Sequence, residues 1–159
     1  MVDATTLDAL STMRAYQDSR AFFSAATHAA ARLEEIEREL KEGPDAMPHG
    51  GGSVRGGGIG NPTESRALWL VTEGAAWEQR LVDERERLTY VVGCALVLVD
   101  YVRDGLGEAY ADVLDARYVD DLEWHEVAER VGYSERHAKR VGYVALDWLD
   151  MMADHHTTT

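Results

Sequence analysis

The sequence predicts an all-α protein, and three observations carry that expectation. Apolar residues recur at intervals of three and four along each segment long enough to show a period, which is the spacing of one helix face. Clusters of glycine and proline separate those segments, at residues 43–62 and 105–107. The one strand-like run, Tyr90 to Val102, has no second strand of similar quality to pair with, so as a strand it would leave its ladder groups unsatisfied. The expected order is a packing or oligomerisation helix over 1–42, a glycine-rich loop over 43–60, a central helical region over 61–105 and a C-terminal helix-turn-helix region over 106–153.

From about Ala4 to Lys41 there is neither proline nor glycine, so one continuous helix is expected. Phe22, Ala26, Ala29, Leu33, Ile36 and Leu40 follow four-three-four-three-four spacing, a seam of fewer than three heptads. Such a seam either docks on the chain's own helices or pairs with a second copy as a homodimer, and the sequence leaves both open. Phe23 and His28 lie off the stripe, with His28 expected on the surface. Residues 43–60 read as a flexible linker, because GGGSVRGGG has almost nothing to bury. No lysine-serine or lysine-threonine pair follows to make it a phosphate loop, and His49 and Arg55 are expected in solvent.

Asn61 suits an N-cap, Pro62 the first helical position and Glu64 the closing residue of a capping box. The helix that follows is expected to turn Leu68, Val71, Ala75, Leu81, Leu88 and Val92 inward and to carry the charges of residues 78–87 in solvent. Gly105 and Gly107 break the chain before a helix from about Glu108 to Tyr118, whose Ala111, Leu114 and Tyr118 face inward and brace the segment after it.

That last segment, WHEVAERVGYSERHAKRVGYVALDWL from Trp124 to Leu149, reads as a helix-turn-helix. Trp124, Val127 and Val131 make an apolar face on a helix of about two turns, with Ala128 small enough for a second helix to cross closely. Gly132 ends the first helix, since positive φ is cheap only for glycine. Ser134 then caps a second helix, with Glu135 complementing its dipole. Ala138, Val141, Ala145 and Trp148 form the inner stripe of that helix, flanked by Leu146 and Leu149. Its outer face carries Glu135, Arg136, Lys139, Arg140 and Tyr143. A plain helical hairpin would share the apolar spacing but would not need three cations on two turns, the part that enters a major groove in such motifs. The candidate DNA-contacting residues are therefore Ser134, Glu135, Arg136, His137, Lys139, Arg140 and Tyr143.

Residues 118–149 resemble region 4 of bacterial RNA polymerase sigma factors, and more closely the small phage and prophage transcriptional regulators that carry a similar module. The likeness rests on RYVDDLEWHEVAERVGYSERHAKRV, on the closing Ala145-Leu146, and upstream on Gly60-Asn61-Pro62-Thr63-Glu64. It departs from the family pattern at Ala138, where a β-branched residue is usual, and at Asp147, where a basic one is common. The resemblance implies promoter binding to double-stranded DNA and contact with RNA polymerase. Two other classes stay open: a phage small-terminase-like packaging protein, and an interaction protein whose helix-turn-helix does not bind DNA.

The net charge of −13 argues against nucleic acid as a general partner, because phosphates attract cations. Residues 134–143, however, hold three cations against one carboxylate and are locally positive. Adjacent acidic pairs such as Asp120-Asp121 and Glu34-Glu35 diverge by about 100° on a helix, so no catalytic constellation is expected. Among the histidines, His125, His137, His155 and His156 offer no metal-ligand spacing in a rigid site. No cofactor or metal is expected, and His155 and His156 are expected in a frayed terminus. The single cysteine, Cys94, lies in an apolar run and is expected buried, which suits a reducing compartment. The longest apolar run, residues 90–99, is too short to span a bilayer and no basic-then-apolar segment stands near residue 1, so a soluble cytoplasmic protein without membrane contact is expected.

Overall fold

The computed structural model describes residues 2–43 and 62–157, and all regular structure among them is helical. In order these are α1 (Ala4–Arg14), α2 (Ser19–Glu42), α3 (Pro62–Trp69), a π turn (Leu70–Gly74), α4 (Ala75–Leu106), α5 (Glu108–Leu114), a second π turn (Asp115–Val119), α6 (Trp124–Val131) and α7 (Glu135–Thr157). No helix among the described residues is long and apolar enough to cross a membrane. The glycine-rich loop and the Asn61 cap lie outside the described residues. Two compact units emerge, residues 1–31 with 88–159, and residues 32–87, so the division falls inside α2 and α4.

The single helix expected over Ala4 to Lys41 is instead two. Asp3 caps α1 by accepting from the Thr6 amide at 2.7 Å, which holds its carboxyl below the usual carboxylate range. The chain then turns at residues 15–18, and Asp18 caps α2 by accepting from the Ala21 amide at 2.8 Å. No glycine is needed, because an aspartate that satisfies orphan amides offers the backbone an alternative to continuing. Tyr16 settles edge-on against Phe22 at 5.3 Å and secures the turn. Phe23, expected off the stripe, is fully buried between Phe22 at 5.5 Å and Tyr118 at 5.5 Å. The break re-aims the start of α2 so that both adjacent rings reach the core.

The larger unit has one main apolar cluster. Leu10, Met13, Phe22, Phe23, Cys94, Leu98, Val102, Leu114, Leu146 and Leu149 sit in it, with Tyr101, Trp148 and Met152 packed against its edge. The Tyr90 to Val102 run is helical, as expected from its lack of a pairing strand, and Cys94 is buried in it. A second, smaller cluster joins Val113 and Ala116 to Val127, Ala128, Ala138 and Val141, so the α5 segment does brace α6 and the start of α7.

In the smaller unit Ile36 and Leu81 are buried, and Arg32 on α2 grips Glu84 on α4 at 2.9 Å while also reaching Glu35 and Glu39. The guanidinium holds the Glu84 carboxyl below its ordinary range. Of the heptad seam, Phe22, Ala26, Ala29 and Ile36 are buried within the chain, and only Leu33 and Leu40 remain half-buried. Three residues assigned to the inner face of the central helix are on the outside: Leu68 is 64% and Val71 78% exposed, and Ala75 is exposed as well. The π turn beginning at Leu70 adds a residue to the helical repeat there, so an α-helical wheel misplaces the residues on either side of it.

Glycines inside helices cost roughly 0.5–1 kcal/mol relative to alanine, so each should have a reason. Gly142 has one: a Cβ there would stand 2.8 Å from the Trp124 ring and 3.3 Å from Val113. Gly93 has open space instead, with nothing within 4 Å of a Cβ. Gly93→Ala should therefore stabilise the protein by about 0.5–1 kcal/mol. Gly142→Ala should lose about 1–2 kcal/mol net, overpacking outweighing the propensity gain. Urea unfolding of the two variants checks this; shifts of the same sign would show that Trp124 yields freely.

Candidate nucleic-acid interface

The exposed start of α7 is positioned by a short chain of local causes. On α6, the Glu126 side chain accepts from the Glu123 amide at 3.2 Å and satisfies one orphan donor of the first turn. Gly132 closes the helix in the left-handed region at φ 76°, and its amide donates to the Ala128 carbonyl at 2.9 Å. The Ser134 hydroxyl oxygen then accepts from the His137 amide at 3.1 Å, which fixes the first turn of α7. The turn is tight because Val127 and Ala128 are buried against Ala138 and Val141, the small residues letting the two helices close on each other.

The seven residues expected to form a site are all present on this surface, but they are not equivalent. Arg136 and Arg140 are exposed, and among the described residues neither pairs with a carboxylate. Glu135 and Lys139 neutralise each other at 3.2 Å, one turn apart. Such a surface pair contributes only about 0.3–0.5 kcal/mol, so Lys139 can leave it for a stronger partner at little cost. His137 turns its ring edge-on to Tyr133 at 4.5 Å, off the stripe that Arg136 and Arg140 share. Tyr143 is 37% exposed and stands edge-on to Trp124 at 5.8 Å.

An open depression of about 660 Å³ follows this stripe, lined by Glu135, Arg136, Lys139, Arg140, Tyr143, Val144 and Asp147. Every one of those side chains belongs to α7, so it is a surface that one helix presents and encloses nothing. A flat or convex polymer suits it better than a small molecule, which needs concave burial. Among the described residues no group of His, Cys, Asp and Glu could hold a metal ion.

Sequence reasoning missed two members of this region. Arg20, from the first turn of α2, carries its guanidinium over the Tyr143 ring, 4.3 Å from the centroid. Burial pushes the Tyr118 hydroxyl above its ordinary value while the Arg20 charge works in the opposite direction, so Arg20 stands beside both tyrosines. No short-range pattern joins residues 20 and 143. Gly142 was legible in principle, since a glycine inside a helix with no turn to make points to close packing. The histidines expected in a frayed end, His155 and His156, instead form the last turn of α7 and touch edge-on at 5.1 Å.

Comparisons with protein-family models, with curated proteins and with solved structures find no match to this chain.

The Ser134 cap can be tested alone. Ser134→Ala should cost about 1 kcal/mol and Ser134→Asp close to nothing, because either oxygen can accept from the His137 amide. Chemical denaturation reads both, and an alanine variant as stable as the parent would remove the cap from the account.

Proposed function

We propose that this chain is a sequence-specific DNA-binding transcriptional regulator of phage type, in which α6 and α7 act as a helix-turn-helix and α7 is the reading helix. The observation that carries the reading is the pair Arg136 and Arg140: exposed, free of carboxylates, one turn apart and just after a capped helix start. Guanidinium groups in that position suit bidentate contact with guanine in a major groove. The amides at the start of α7 add a phosphate contact that needs no side-chain charge. The resemblance to sigma region 4 supports a role at a promoter with RNA polymerase, in the cytoplasm.

The charge balance shapes the mechanism. With −13 overall, the isolated protein binds its site weakly, because screening over about 8 Å lets a local patch act while the long-range field still opposes encounter. Polymerase, or a second copy of the chain, supplies the remaining contacts through linked sites. The same charge is what favours an interaction protein as the second reading, and a packaging protein would assemble differently from either.

Selection of bound fragments from a DNA library separates these. A preferred site is expected at low salt, and Arg136→Ala should weaken it by about 1–3 kcal/mol and relax the preference at one position. Unchanged affinity and preference in that variant would refute the assignment of α7 as the reading helix. No enriched fragment at all would leave the interaction protein, and eight or more copies in sedimentation would favour packaging.

A further inference from the structure

We infer that Arg20 is a DNA-backbone contact belonging to the same surface, supplied by α2 and held over Tyr143 so that its guanidinium meets a phosphate at the far edge of the groove from Ser134. This rests on the DNA-binding reading given above.

Four observations place it there. The Arg20 guanidinium lies over the Tyr143 ring at 4.3 Å, and the residue is exposed. A guanidinium stacked through its face keeps its five N–H donors around the edge, where a phosphate can take two of them at once. The backbone beside it is fixed. Ser19 is 1% exposed, its amide donates to the Asp150 carboxylate at 2.8 Å, and its hydroxyl is within donating distance of both that carboxylate at 2.8 Å and the Leu146 carbonyl at 2.9 Å. Arg20 is thereby tied to α7 even though it belongs to another helix.

Three carboxylates, Asp18, Asp147 and Asp150, line a depression together with Arg20, and none of them pairs with it. Asp18 accepts from the Ala21 amide and Asp150 from Ser19, neutral donors that fix the two carboxylates in place and leave their charge unchanged. The spacing also fits. Tyr143 stands nine positions after Ser134, about 13.5 Å along a helix, close to the major-groove width of about 12 Å. A helix start at one strand's phosphates leaves the Tyr143 end near the other's. Arg136 and Arg140 lie between them.

The test is a salt titration of the full chain on its selected fragment, comparing the parent with Arg20→Gln and Arg20→Lys. If Arg20 neutralises one phosphate, Arg20→Gln lowers the slope of log affinity against log salt by about 0.9. It should also weaken preferred and non-preferred fragments alike, leaving site preference intact, which a base-reading residue would not do. Arg20→Lys should keep the slope, having kept the charge. An unchanged slope in Arg20→Gln, with the parent still binding its fragment, overturns this assignment and leaves the reading helix standing. Absence of any DNA binding by the parent overturns both. Should Arg20→Gln fail to fold, the Nε–H resonance of Arg20 in the parent decides: it shifts on adding the fragment if the contact is made, and stays still if it is not.

Discussion

The approach of Trp124 to Gly142 is the contact on which the rest of this architecture depends. Trp124 opens α6, and its ring occupies the space a side chain on Gly142 would need, with Val113 of α5 pressing from beside it. Three elements meet at that point in α7. N-terminal to it, Ala138 and Val141 belong to the small cluster with α5 and α6; C-terminal to it, Ala145, Leu146 and Leu149 belong to the main core. One helix of 23 residues is thus anchored in both clusters, and its exposed first two turns inherit that rigidity. Binding groups carried on a rigid element hold their geometry better than groups on a loop.

Charge is distributed along α7 with the same economy. Arg136 and Arg140 stand at the exposed start, and Asp147, Asp150 and Asp154 follow along the half that packs on the protein. Two of those carboxylates have structural duties: Asp150 receives the Ser19 amide and Asp154 pairs with Arg14. An acidic chain can therefore carry a basic face. Its carboxylates hold helix starts and helix contacts elsewhere, and the cations that would neutralise them are themselves bound, as Arg32 is by Glu84 and Arg103 by Glu108. What remains unpaired at the start of α7 is small, which on the proposed DNA-binding reading implies weak, partner-assisted binding.

Much of this was legible in the sequence because it is local. The left-handed turn at Gly132, the Ser134 cap, the break after Leu106 and the inner stripe of α7 each follow from a few neighbouring residues, and each is where the spacing puts it. The failures are of two physical kinds. Propensity could not show that α1 and α2 are separate, since the chain there holds no glycine or proline and the break depends on Asp18 finding amides to cap. Periodicity could not place Leu68 and Val71, because a π turn shifts the register of the helix around them. Arg20 was illegible for a third reason. Its relation to Tyr143 is made only by packing α2 on α7, which no window of sequence contains.

The central proposal is that the exposed face of α7 from Ser134 to Tyr143 meets DNA, while Ala145, Leu146 and Leu149 beyond it belong to the main core. Amide hydrogen exchange of the full chain, followed with and without its selected fragment, tests this most directly. The account predicts added protection concentrated over residues 133–143, with residues 145–153 already slow and unchanged. Protection that instead appears on α1 or α4, while residues 133–143 exchange as before, would contradict it.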